Sequence, residues 1–161
     1  MGLPRPNLLH LSQTLSGNRR PNPLPITVPA SSGLWSSLEK LGVTDRLQYQ
    51  PYDPAFPEYG PPKAADLVCC IDVLEHIEPE LLNNVLQELS TLVTRAGFFT
   101  IHQGPAGKTL SDGRNAHLIQ KPTSWWLPRL SQFFEISLLQ RHEVFGRGFV
   151  VVVEPRRNDE H

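Results

Sequence analysis

Asp72, Glu75 and His76 stand at spacing i, i+3, i+4 inside Asp66-Leu-Val-Cys-Cys-Ile-Asp-Val-Leu-Glu-His-Ile-Glu-Pro-Glu80. Two carboxylates and an imidazole in one helical turn would share a face. Such a set can bind a divalent cation or move a proton at neutral pH. The residues before them, Leu67 to Ile71, form an unbroken apolar run. That pattern predicts a strand buried on both faces, as in the interior of a parallel sheet. Pro79 suits the first turn of a following helix. A buried strand would thus deliver acid and imidazole groups to the carboxyl edge of a sheet, where open α/β folds bind ligands.

A second group of polar residues lies in Gln103 to Thr123, which carries Asp112-Gly113-Arg114-Asn115-Ala116-His117. Loops this long in compact domains are functional or disordered. Arg114 could pair a phosphate or carboxylate. Trp125 or Trp126 could stack on a base. Adjacent helical residues diverge by about 100°, so at most one would face a ligand, and core packing is the reading favoured for the pair.

The elements that must carry these groups alternate. Leu34 to Leu41 is predicted helical, capped by Ser31 or Ser32 and stopped by Gly42. A strand over Arg46–Gln50 is followed by Tyr52-Asp53-Pro54 and a proline-rich loop from Ala55 to Ala64. After the central strand comes an amphipathic helix over Glu80–Leu92, a turn at Gly97 and a strand over Phe98–His102. A helix over Ser124–Leu130, with Ser124 as cap and Pro128 as interruption, precedes strands over Phe134–Gln140 and Phe149–Glu154. Their short link predicts an antiparallel hairpin. The class is α/β, with a mostly parallel sheet and a C-terminal antiparallel hairpin.

The chain has 161 residues and a formal net charge of −1. That length fits one domain with a real core, and the charge argues against a generally basic nucleic-acid surface. Domain limits are expected at 1–30, a proline-rich, poorly ordered extension with a short helix over Asn7–Leu15 and a strand stub over Ile26–Val28; at 31–155, the α/β domain; and at 156–161, a charged tail. Cys69 and Cys70 are the two cysteines and lie inside the apolar strand. They read as reduced core thiols, which with the lack of a signal peptide or membrane span points to the cytoplasm. Phe98, Phe99, Phe133 and Phe134 read as core. The sequence sets no oligomeric state.

An acid closing an early strand, an Asp-Leu-Val strand running into Leu74-Glu75-His76, and a final hairpin resemble the class I S-adenosylmethionine (SAM)-dependent methyltransferases, over about Ser31 to Pro155. The resemblance implies a Rossmann-like sheet whose last strand inserts antiparallel, and SAM as cofactor. It places Asp53 on the cofactor ribose, where a carboxylate can accept two diol hydrogen bonds, and Ile71 or Asp72 on the methionine side. The plain alternative is that Asp53 only starts a turn before Pro54. The family's glycine-rich loop has its counterpart in Thr27 to Gly33, with Gly33 as its single glycine and Pro29 where a free N–H is wanted. The first strand is therefore expected to be short or incomplete.

Asp72-x-x-Glu75-His76 also resembles the metal-ligating pattern of small-RNA 3′-terminal 2′-O-methyltransferases. That likeness implies a site of Asp72, Glu75, His76 and a later histidine, His117 or in its place His102, holding Mg²⁺ or Mn²⁺. Metal-free methyltransferases read Leu-Glu-His here too, with His76 lining the substrate pocket or acting as general base and Glu75 capping nearby backbone. The expected activity is methyl transfer to a small molecule or an RNA hydroxyl, with Glu75, His76 and His117 facing the acceptor. The alternative is a non-catalytic interaction module that kept the fold.

Overall fold

The computed structural model describes residues 24–29, 34–53, 56–143 and 147–156. The helix expected over Asn7–Leu15, the helix caps Ser31 and Ser32, Gly33 and the tail beyond 156 lie outside the described residues. Six strands form one sheet in the order β2-β1-β3-β4-β6-β5. They are β1 (Leu24–Pro29), β2 (Leu47–Tyr52), β3 (Ala65–Ile71), β4 (Val93–His102), β5 (Phe134–His142) and β6 (Gly148–Pro155). β1 runs parallel to β2 and β3, and β3 parallel to β4. β6 lies antiparallel between β4 and β5. This is the mostly parallel, Rossmann-like sheet with a terminal antiparallel hairpin that the alternation of elements predicts.

The first strand departs from expectation. β1 has six residues, twice the stub expected at Ile26–Val28, and it belongs to the sheet rather than to an extension ending at residue 30. It pairs with β2 along its whole length. Pairing with β3 is confined to Ile26 and Thr27. Pro25 and Pro29 have no N–H to give a ladder. The second neighbour is held only between them.

Helices cover both faces. α1 (Leu34–Lys40) sets Leu38 against Cys69, Leu67, Ile71 and Phe98. α2 (Leu82–Leu92) and α3 (Thr123–Leu130) pack on the other face, where Leu82, Leu86, Trp126 and Leu130 meet Cys70, Phe99, Ile101, Val151 and Val153. Cys69 and Cys70 thus point to opposite faces, as strand alternation requires. Both are free, and burial pushes the Cys69 thiol up to about 12 and raises Cys70 as well. These are inert core thiols.

Gly97 was expected in a turn and lies inside β4, which follows α2 directly. A Cβ there would come 2.7 Å from Val153 Cγ2 and 2.9 Å from the Phe99 ring. Absence of a side chain is what lets β4 and β6 close over Phe99. Gly97→Ala is expected to destabilise by about 1–3 kcal/mol through overpacking, read as a lower urea midpoint with unchanged slope.

The four parallel strands end together. Pro29, Tyr52, Ile71 and His102 close β1, β2, β3 and β4. The chain leaves β1 outward to β2 and returns to β3 on the other side, so the strand order reverses between β1 and β3. The crevice at that reversal is the ligand position of open α/β sheets.

Candidate active site at the carboxyl edge

β3 delivers its polar residues to this edge, though not in one helical turn. Asp72 has φ 50°, a left-handed conformation, and the chain enters a 3-10 turn only at Leu74–His76. The Asp72 N–H donates to Thr100 Oγ1 at 2.9 Å and to Thr100 O at 3.1 Å. Thr100 Oγ1 in turn donates to Asp72 Oδ1 at 2.7 Å. These bonds hold the unusual backbone and turn the Asp72 carboxylate toward β4. The shared face expected for Asp72, Glu75 and His76 is therefore not formed. Strain of this sort collects at functional sites.

Glu75 and His76 meet His117 instead. Among the described residues, the group whose candidate ligand atoms all lie within 4.8 Å of one another is Glu75, His76 and His117. Asp72, which the resemblance sets beside Glu75 and His76 as a ligand, is not in this group. The His76 and His117 rings are 4.7 Å apart, edge to face. His76 Nδ1 lies 2.8 Å from Ala116 O, and His117 Nδ1 lies 2.7 Å from Gly104 O. A carbonyl only accepts, so each neutral ring carries its proton on Nδ1 and keeps the Nε2 lone pair for a ligand. A backbone carbonyl on the far nitrogen is the arrangement that orients metal-binding histidines.

His102, the competing candidate, is placed differently. Its ring stands 4.9 Å from that of His117, but its Nδ1 accepts the Gly104 amide at 3.2 Å and sits 3.3 Å from Gly104 O. It serves the loop backbone and is not in the three-residue group. Its own N–H donates to Glu75 Oε1 at 2.9 Å.

Glu75 is fully buried, at 0% exposure. Oε1 has the His102 amide, while Oε2 is buried with no hydrogen-bond partner. Burial, with the Asp72 charge adding to it, holds the carboxyl above the usual carboxylate range; backbone N–H groups and His76 pull the other way without cancelling it. This buried acid thus has one oxygen without a hydrogen-bond donor beside two imidazole rings. The group fits a cation through two nitrogens and one oxygen.

The loop carrying His117 is built on Asn115, a residue that the sequence shows only as one more polar loop position. Asn115 Oδ1 accepts the amides of Ala106 and His117, each at 2.9 Å, and Nδ2 donates to Ala106 O at 2.8 Å. The Ile119 N–H donates to Glu75 O at 2.9 Å. A cavity of about 300 Å³ opens beside His117, lined by Pro79, Arg114, Asn115, Leu118 and Gln120 as well.

The residues expected to contact an anion or a base do something else. Arg114 is a fork onto Glu78, at 2.9 and 2.8 Å, with Nε on Asp112 at 2.7 Å. Trp126 is fully buried in the core, and the Arg129 guanidinium covers the Trp125 ring at 3.6 Å. Core packing, the favoured reading of the tryptophans, is what the structure has.

Of the residues expected at the cofactor, Asp53 follows β2 directly, and its carbonyl accepts the Phe56 amide at 3.0 Å, so it also starts a turn. Ile71 ends β3 and is partly buried against Cys69. Gly33 lies outside the described residues. Among the described residues, no helix is long and apolar enough to cross a membrane.

No protein-family model and no curated protein sequence matches the chain. Solved structures do. Magnesium protoporphyrin IX methyltransferase (ChlM) from Synechocystis PCC 6803, with bound S-adenosylhomocysteine (SAH), superimposes with a TM-score of 0.59 at 14% identity, over 92% of this chain and 79% of that one. The PH0226 protein from Pyrococcus horikoshii OT3 gives 0.58 at 13% identity, over 92% and 88%. The Burkholderia thailandensis 1,6-didemethyltoxoflavin-N1-methyltransferase, bound to 1,6-didemethyltoxoflavin and SAH, gives 0.53 at 14% identity, over 93% and 76%. The fold is that of the class I SAM-dependent methyltransferases.

Proposed function

We propose that this chain is a SAM-dependent methyltransferase acting on a hydroxyl of a small molecule, with Glu75, His76 and His117 holding a divalent cation beside the acceptor. The observation that carries the reading is the bare, buried Glu75 Oε2 set among two imidazoles whose Nδ1 atoms are both spent on carbonyls. The cofactor belongs at the strand-order reversal, with Asp53 accepting the ribose hydroxyls and Ile71 and Asp72 along the methionine side, and the family resemblance adds Gly33 as a cofactor residue.

Methyl transfer is an in-line attack. With SAM bound, the acceptor oxygen would take the methyl group as the carbon–sulfur bond breaks and the demethylated thioether leaves, and the acceptor proton would pass to solvent at the mouth of the site. SAM supplies the electrophile, so the chain's task is to orient the acceptor and ease loss of that proton. A cation in this group supplies a lowered pKa for the acceptor hydroxyl. Two nitrogens and one oxygen favour Mn²⁺ over Mg²⁺, which prefers an all-oxygen shell. Glu75 supplies the negative charge, and the Ala116 and Gly104 carbonyls aim the two rings.

The small-molecule choice follows from the loop. Arg114 is occupied by two carboxylates and both tryptophans are packed, so the residues that pointed toward RNA are engaged within the chain. The cavity beside His117 has the volume of a small acceptor site.

Isothermal titration with SAH tests the cofactor. Micromolar binding is expected, weakened about tenfold or more in Asp53→Ala by loss of charge-assisted hydrogen bonds. No binding at millimolar SAH would overturn the enzyme reading and leave the non-catalytic module. For the cation, Mn²⁺ at about 100 times its Kd stabilises by about 2.7 kcal/mol. In a domain of this size that raises the melting temperature by roughly 5–10 °C. The shift should vanish in His76→Ala and in His117→Ala.

A further inference from the structure

Arg114 lies three residues before His117, and Glu78 two residues after His76. Their bidentate pair, at 2.8 and 2.9 Å, therefore joins the two segments that carry the imidazoles, across a separation of 36 residues. Asp112 completes the arrangement from within the loop: Oδ2 takes Arg114 Nε at 2.7 Å and Oδ1 takes the Arg114 amide at 3.0 Å. Inside this pair lie two uncharged ties between the same segments, His76 Nδ1 to Ala116 O and the Ile119 amide to Glu75 O.

We propose that Arg114 is a positioning residue whose fork onto Glu78 holds the His117 turn against His76 and so sets the spacing of the two Nε2 atoms. Three of its N–H groups are committed to carboxylates of the same chain. Asp112 keeps the guanidinium plane aligned with Glu78, because Nε and the backbone amide of one residue bind the two oxygens of one carboxylate. A lysine at 114 would keep the charge and lose the fork. The clamp faces solvent, with the Arg114 side chain 51% and Glu78 34% exposed, so salt screens it. The two inner hydrogen bonds are uncharged and less salt-sensitive.

This inference rests on the reading that Glu75, His76 and His117 bind a cation, and the experiment separates the two. The probe is Co²⁺ titrated into the full chain, read by its d–d absorption, with amide hydrogen exchange of Ala116 and His117 measured on the metal-free protein. Glu78→Gln and Arg114→Leu are expected to weaken Co²⁺ about three- to tenfold, with Arg114→Lys between them and the parent. Raising NaCl from about 0.05 to about 0.5 M should weaken Co²⁺ binding more in the parent than in Glu78→Gln, because only the parent also loses the clamp. Exchange at Ala116 and His117 should quicken in Glu78→Gln. Arg95→Gln, which breaks an exposed pair with Asp66 elsewhere, should change none of these readouts. Unchanged Co²⁺ affinity together with unchanged exchange in Glu78→Gln overturns the clamp. Failure of the parent to bind Co²⁺ overturns the cation reading, and the exchange rates then decide the clamp alone.

Discussion

Glu75→Gln is expected to raise the melting temperature of the metal-free protein at mildly alkaline pH and to abolish its stabilisation by Mn²⁺. The two effects share one cause. Glu75 is fully buried, and burial raises its pKa in the fold. A carboxyl whose folded pKa lies above its unfolded value binds its proton more tightly in the native state. Its contribution to stability is complete below the unfolded pKa, near the usual Glu value of about 4.3, and is lost as pH rises through the folded value. Above that folded value the parent carries an ionised, half-partnered carboxylate in its interior. Glutamine keeps an oxygen for the His102 amide and removes the charge. A gain of about 1 kcal/mol would appear as roughly 2–4 °C, and the gain should shrink on acidification. The same substitution removes the anionic ligand, and Mn²⁺ affinity should fall by about a hundredfold or more, beyond the 10–100-fold cost of losing an outer-shell partner. Calorimetry of both proteins across pH, with and without Mn²⁺, measures both. A variant that is less stable than the parent at every pH would sink the account of Glu75 as a charge awaiting its cation.

That trade between stability and function was half legible in the sequence. The unbroken run before Asp72 foretold a strand buried on both faces, and His117 was matched to Glu75 and His76 only through the resemblance to small-RNA 2′-O-methyltransferases. Spacing misled at Asp72. The pattern i, i+3, i+4 implies a shared face only if the backbone is helical throughout, and the left-handed residue pinned by Thr100 ends that assumption one step before the turn begins. Thr100 is 28 residues away, and no local pattern announces it. Gly97 misled in the other direction. A glycine between a helix and a strand reads as a turn, yet its cause is the approach of Val153 from a strand made much later in the chain. β1 was masked by its prolines, which signal an ended strand until the register shows β3 pairing only between them. Arg114, Trp125 and Trp126 have residue types that recognise ligands, and here they satisfy the chain's own carboxylates, a guanidinium and the core. In each case the missing information was a nonlocal partner.

Trp126→Ala carries the largest expected loss of stability, and its consequence reaches the site. Trp126 is fully buried within the cluster that includes Phe99, Ile119, Leu130 and Phe134. Removing a core tryptophan costs about 3–5 kcal/mol through lost burial and the cavity left behind, a large share of the about 5–15 kcal/mol that holds a domain together. α3 begins at Thr123, whose hydroxyl accepts Gln103 Nε2 at 3.0 Å, and Gln103 Nε2 also reaches Lys121 O at 3.2 Å. The helix thereby pins both ends of the loop from Gln103 to Thr123, so loosening its seat frees the segment that carries His117. Trp126→Phe should be far milder, because it retains most of the apolar volume and removes an indole N–H that is buried without a partner and costs about 1–3 kcal/mol to leave so. Urea melts should rank parent and Trp126→Phe together within about 1.5 kcal/mol, with Trp126→Ala far below. Mn²⁺ affinity, measured where Trp126→Ala is still folded, should fall in that variant and hold in Trp126→Phe. Equal destabilisation by Ala and Phe would mean that the indole N–H has a partner and that burial alone does not set the value of this residue.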